Sequence, residues 1–254
     1  MAIALIHEEK DFLVLDKPAG IAVHRARLLA SRRSGPDGQG ARVTEKTVAD
    51  WLVEHYPEVT SVGDEPGVRP GIVHRLDKDT SGVMVAARNQ RAFEDLKELF
   101  KTQRIRKKYL ALVVGVPKKA SGIVAVPVGR SVRDPMRREA GKRARGARAA
   151  VTHYRILERL DGYSLLEVRP ETGRMHQIRV HLASIGYPVA GDRIYGGKKA
   201  AVAGLDRQFL HASSLEFSYP EGRRWHFEAS LPKDLTRVLA ELRALRKRKS
   251  RDTM

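Results

Sequence analysis

Residues 74–82 read HRLDKDTSG, an almost wholly polar run. It lies between Ile72-Val73 and Val83-Met84-Val85, apolar β-formers that suit a buried strand. Packing alone does not account for so many charges beside buried strand sequence. His74, Arg75, Asp77, Asp79, Thr80 and Ser81 are therefore candidates for chemistry. Asp77-Lys78-Asp79-Thr80-Ser81-Gly82 matches the first half of a calcium loop. The twelfth position, which needs a bidentate carboxylate, is Arg88, so that reading fails. A kinase catalytic loop also fails: Leu76 separates Arg75 from Asp77, and no Asn stands five residues after the Asp. A metal-dependent nuclease using Asp77 and Asp79 is a weak alternative, because no further carboxylate or histidine forms an obvious metal set nearby. Asp79-Thr80-Ser81-Gly82 is good turn chemistry and needs no other explanation. A turn does not explain Asp77, which it would hold beside His74 and Arg75.

The chain has 254 residues with 42% hydrophobic and 31% charged content, which suits a globular protein with a sizeable core. It lacks cysteine, which excludes disulfides, thiolate zinc sites and thiol catalysis and fits a cytoplasmic location. No long apolar run predicts a membrane span, and the N-terminus does not resemble a signal peptide. Charge is the strongest compositional signal. Three stretches, 101–108, 131–150 and 243–251, hold +16 of a formal +18. Clustered positive charge points to a polyanion, with nucleic acid the commonest. A solvated face explains any one stretch equally well, but explains three together less well.

Several elements must position these residues. The start, IALIHEEKDFLVLDKPAG, predicts two short strands and a turn at Lys17-Pro18-Ala19-Gly20. Thr47 and Asn89 are placed to cap helices whose core sides carry Val48, Trp51 and Leu52, and Phe93, Leu96 and Phe100. Residues 109–115, 151–157, 163–170 and 224–229 read as strands. Residues 172–186 read as a helix with Ile178, Leu182 and Ile185 on one face and Gly186 at its end. A last helix runs from about 233 to 246 into a basic tail. Strand hairpins interleaved with a few helices, without regular βαβ alternation, predict an α+β protein.

The chain resembles the RluA-type RNA pseudouridine synthases. HRLDKDTSG is similar to their H-R-L-D-x-x-T-S-G signature, and Lys17-Pro18-Ala19-Gly20 to an upstream K-P-x-G. Lys108-Tyr109-Leu110-Ala111 resembles K-x-Y-x-A with its basic residue shifted. GRMHQIRVHL at 173–182, Gly191-Asp192 with Tyr195-Gly196, and Leu210-His211-Ala212 resemble three later family motifs, all in family order. The resemblance implies a large mixed, mostly antiparallel sheet bent into two lobes, with flanking helices and a central RNA-binding cleft. It also implies a single catalytic domain over 1–245, with loops near 28–45 and 131–149, a basic tail at 246–254, and no separate N-terminal RNA-binding domain.

The implied reaction isomerises uridine to pseudouridine in structured RNA, ribosomal or transfer, after flipping the base. Breaking the glycosidic bond builds positive charge on the ribose, which one carboxylate can stabilise or attack. The leaving base stays in the pocket, so no second carboxylate is demanded. By resemblance Asp77 takes that role, Tyr109 lies against the base, and Arg179 pairs with Asp77. Arg75 would fill the gap left by the flipped uridine, a fitting task for a planar cation. Further RNA contacts are expected at His74, Lys17, Lys108, Arg174 and His176. Hydrogen-bonded framework is the competing reading for the histidines, and a solvated lysine for Lys17. No metal, organic cofactor or obligate protein partner is implied. A non-catalytic RNA-binding protein on the same fold is the alternative, and it has no need of Asp77, Tyr109 and Arg179 together.

Overall fold

The computed structural model describes residues 2–25, 45–134, 137–202, 204–220 and 222–252. The loop expected over 28–45 falls almost wholly outside them. The described chain forms two compact units, residues 1–104 with 219–222, and residues 105–218 with 223–254. Strands pair antiparallel in both units, and helices intervene without βαβ alternation, which makes the protein α+β as expected.

In the first unit β1 (Ala4–Glu8) and β2 (Phe12–Lys17) form a hairpin, and β2 pairs with β3 (Ser81–Ala87) from Phe12↔Ala87 to Lys17↔Gly82. All seven β3 residues are buried, which fits their unbroken small and apolar sequence. Helix α1 (Val48–His55) starts at Thr47 in a reciprocal capping box with Asp50, and buries Val48 and Leu52. Helix α2 (Gln90–Lys101) starts at Asn89 and buries Phe93 and Leu96. Ile72 makes only an isolated bridge to Ala86, so the expected strand before HRLDKDTSG is reduced to a single rung.

In the second unit β4 (Arg106–Val114) is central, paired with β10 (Tyr163–Pro170) on one side and β11 (Leu210–Ser218) on the other. β9 (Thr152–Arg159) and β5 (Ser121–Val124) continue beyond β10, and β12 (Arg224–Glu228) pairs with β11. Strand alternation splits this sheet's apolar residues between two helices. Ala111, Val113, Leu166 and Val168 pack on Ile178 and Leu182 of α3 (Gln177–Ser184). Leu112 and Leu165 pack with Leu235, Val238, Leu239 and Leu242 of α4 (Lys233–Asp252). The basic stretch expected as a loop over 131–149 contains strands instead. β6 (Val128–Arg130) pairs with both β7 (Arg138–Ala140) and β8 (Arg145–Arg148). A small cluster of Val128, Ala140, Ala150, Val180 and Tyr195 packs this sheet against α3. Helix α4 also runs on through the segment expected as a tail, to Asp252. Arg243 chelates Glu158 at 2.8 and 3.0 Å, and Arg246 donates to the Arg159 carbonyl, so those two cations are committed within the protein.

Asn89 does two jobs. Its Oδ1 accepts the Ala92 N–H at 2.9 Å and its Nδ2 donates to Asp11 Oδ1 at 2.8 Å. Asn89→Ala is expected to lower stability by about 1–2 kcal/mol in urea unfolding.

Candidate active site

Lys17, His74, Arg75 and Asp77 belong to the first unit; Lys108, Tyr109, Arg174, His176 and Arg179 belong to the second. In the first, the Asp77 loop is fixed by a buried ammonium. Lys17 at the end of β2 is 0% exposed, and its Nζ donates to the carbonyls of Pro18, Ile21 and Lys78 at 2.8–2.9 Å. A second tie, Gly20 N–H to the Lys78 carbonyl at 3.0 Å, joins the same two loops. This corrects the expectation at Lys17, which is neither on a phosphate nor solvated. An ammonium has three protons, and all three meet backbone oxygens. Beyond Lys78 the chain turns, with Thr80 N–H on the Asp77 carbonyl, and enters β3. Leu76 is buried, Asp77 is half-buried and Arg75 is exposed, so the loop is anchored at its apolar residue and presents its charged ones.

His74 is also framework, against the expected RNA contact. Its Nε2 accepts the Val85 N–H at 3.0 Å, and its ring stacks on Phe100 with centroids 4.4 Å apart. The acceptor role leaves the ring's proton on Nδ1 in the neutral tautomer.

In the second unit the motif at 173–182 resolves residue by residue. Gln177 is saturated: its Oε1 accepts from Thr172 and the Arg174 N–H, and its Nε2 donates to the Val151 carbonyl and Thr152. His181 donates from Nε2 to the Val126 carbonyl at 2.8 Å, and its Nδ1 faces the Thr152 hydroxyl at 2.9 Å. Burial pushes its pKa down, consistent with a neutral ring. Arg179, read in the sequence as either functional or a surface cation, is 4% exposed. Its Nε and Nη2 grip Asp192 at 2.6 and 3.0 Å. Asp192 Oδ1 also accepts the N–H groups of Ile194 and Tyr195. The two glycines of the Gly191-Asp192…Tyr195-Gly196 stretch are steric necessities here. A Cβ at Gly191 would overlap the Arg207 carbonyl oxygen, and one at Gly196 would overlap Ala200.

Tyr195 gathers the rest. Its ring lies under the guanidinium groups of Arg179 and Arg137, 5.2 and 5.7 Å from centroid. Its hydroxyl accepts the Arg138 N–H at 2.9 Å and meets His176 Nδ1 at 2.8 Å. His176 sits at φ 56°, a left-handed conformation unusual for a non-glycine residue, at the start of α3. Arg174 is half-buried and donates to the Ala149 carbonyl; burial and the neighbouring Arg148 push its pKa down. Two adjacent guanidinium groups of that kind suit a phosphate.

Tyr109 is half-buried on β4 and packs against the α3 side of the sheet. Strand alternation puts Lys107, not Lys108, on its face. Lys108 falls on the other face. Lys107 was missed in the sequence, although the two-residue period could have found it.

A family model described as RNA pseudouridylate synthase matches residues 11–184, more than half of the chain. The chain belongs to that family. It is 44% identical to an RNA pseudouridine synthase of Chloroflexus aurantiacus, covering 89% of this chain and 65% of that one. It is 35% identical to a Yersinia pestis protein named ribosomal large subunit pseudouridine synthase D, covering 94% of this chain and 70% of the relative. The chain thus spans roughly two thirds of these relatives' length. A human structure titled RNA Pseudouridylate Synthase Domain Containing 4 superposes with a TM-score of 0.69 at 27% identity, covering 94% of this chain and 93% of that one. These likenesses place the chain among enzymes that isomerise uridine in RNA. Among the described residues no helix is long and apolar enough to cross a membrane.

Asp192→Ala removes the counter-charge of a buried guanidinium. It is expected to cost on the order of 3–5 kcal/mol, read by urea unfolding.

Proposed function

We propose that this chain converts uridine to pseudouridine in ribosomal RNA of the large subunit, in the cytoplasm, with Asp77 as the essential carboxylate. The ribosomal target is supported by relatives named for it in Yersinia pestis and Xanthomonas campestris. The assignment of Asp77 rests above all on the Lys17 clamp: a fully buried ammonium fixes the backbone next to it while Asp77 and Arg75 keep solvent access. A turn that only capped itself would need no such anchor. Tyr109 serves as the base's neighbour, and Arg75 as the cation that replaces the flipped base in the RNA stack. Arg174 and His176 line the approach of the RNA backbone, with Arg148 beside Arg174.

Mapping pseudouridines in total RNA from cells with and without the protein tests the reading. A lost site in large-subunit RNA is expected. Loss of none would favour a protein that only binds RNA. On the mapped RNA, Asp77→Asn should abolish single-turnover conversion while leaving affinity within about threefold, because the neutral amide removes the charge that the transition state requires. Asp79→Asn is the control and should retain turnover. Substantial conversion by Asp77→Asn would sink the assignment.

The basic sheet generates a separate expectation. Arg148→Ala with Arg174→Ala should weaken binding to all RNA sequences alike and flatten the salt slope by roughly 1.4, at about 0.7 per lost phosphate contact. An unchanged slope would return these residues to the solvated surface.

A further inference from the structure

Lys107 is the outlier among the cations of the second unit. It is half-buried in the middle strand of the sheet, opposite Leu215 of β11, which is 2% exposed. Burial lowers its pKa from 10.5 to about 8, and no carboxylate offsets the loss. Among the described residues it makes no ion pair and no hydrogen bond. No fully buried side-chain nitrogen there lacks a partner, so the Lys107 ammonium must retain an opening to solvent, as access by a ligand requires. It projects from the same face of β4 as Tyr109, two residues and about 7 Å along the strand.

A lysine in such a place is unfavourable for folding. Desolvating an ammonium without a counter-charge costs more than a hydrocarbon of similar length would. Stem packing alone explains the four methylenes but not the charge, which methionine would avoid. We infer that Lys107 is a catalytic residue of the isomerisation, its ammonium donating a hydrogen bond to a uracil carbonyl oxygen as negative charge develops on the departing base. The inference rests on the proposed placement of the uracil against Tyr109. When the N1–C1′ bond breaks, its electron pair stays with the base and spreads onto the ring oxygens. Lys107 stabilises that anion and keeps its own proton. The base then turns, C5 bonds to C1′, the C5 proton is lost and N1 gains one. The reaction is an isomerisation, so nothing is consumed. A preorganised cation aimed where charge appears is an effective catalytic device in a partly desolvated site.

The backbone phosphate is the other anion that an RNA would bring, and the two are separable. Lys107→Met is expected to slow single-turnover conversion at saturating protein by about 100-fold, with RNA affinity and salt slope unchanged. Its melting temperature at pH 7 should equal or exceed the parent's, because a half-desolvated charge has been removed. That gap should close as pH rises through about 8 toward 10.5, where the folded parent holds a neutral lysine that is still protonated when unfolded. Lys107→Arg carries a charge that does not titrate. Its kcat/KM should stay level from about pH 6.5 to about pH 9, where the parent's falls above about pH 8. Conversion by Lys107→Met within threefold of the parent would overturn the inference. So would weaker binding with a flatter salt slope and an unchanged saturated rate, which would assign Lys107 to a phosphate. If the parent itself leaves every uridine unconverted, the functional reading fails; if it converts and Lys107→Met matches it, only this inference does.

Discussion

The bidentate pair of Arg179 and Asp192 is the constraint on which the second unit's polar architecture depends. Arg179 sits in the middle of α3, almost wholly removed from water, and Asp192 closes the turn after that helix. Each would be prohibitive alone; together they form a two-point ion pair, and Asp192 also accepts the N–H groups of Ile194 and Tyr195. With the turn so pinned, the Tyr195 ring is fixed beneath Arg179, and its hydroxyl reaches both His176 and the backbone of β7. One ion pair thereby joins the helix, the glycine turn and the basic three-stranded sheet. Gly191 and Gly196 let the turn come close enough for the pair to form.

The first unit is held at its loops by a buried cation. Lys17 donates to three main-chain oxygens, so its charge stabilises a loop geometry. Both arrangements place rigid, desolvated charge behind residues that face solvent, which is how a site is preorganised before its ligand arrives.

Much of this was legible in the sequence where the physics is local. Caps at Thr47 and Asn89 depend on backbone within three residues, and both form. The strand over 163–170 and the helical face of Ile178 and Leu182 follow from periodicity, and both stand. Non-local partners were opaque. One of Lys17's acceptors lies 61 residues away and is a carbonyl, which carries no sequence signal at all. Arg179 read equally well as a surface cation because nothing in its own helix announces Asp192, thirteen residues on. The strands β7 and β8 read as loop because four of their seven residues are charged and no large apolar residue marks their inner face. The expected helix start at 172 is five residues early: Gly173 disfavours helix, His176 is held left-handed and Gln177 is the first helical residue.

The four residues Tyr219–Gly222 belong to the first compact unit although they lie in the connection between β11 and β12. Tyr219 packs edge-on against Phe12, centroids 6.0 Å apart, and is nearly buried. A chain emerging from the ribosome therefore cannot finish its amino-terminal unit when residue 104 appears, because the last piece of that unit's core is encoded more than a hundred residues later. Maturation of the two units is coupled by synthesis order alone. A nascent chain stalled before Tyr219 would expose the Phe12 face to chaperones, and a split of the gene after residue 104 would yield a first fragment with an incomplete core.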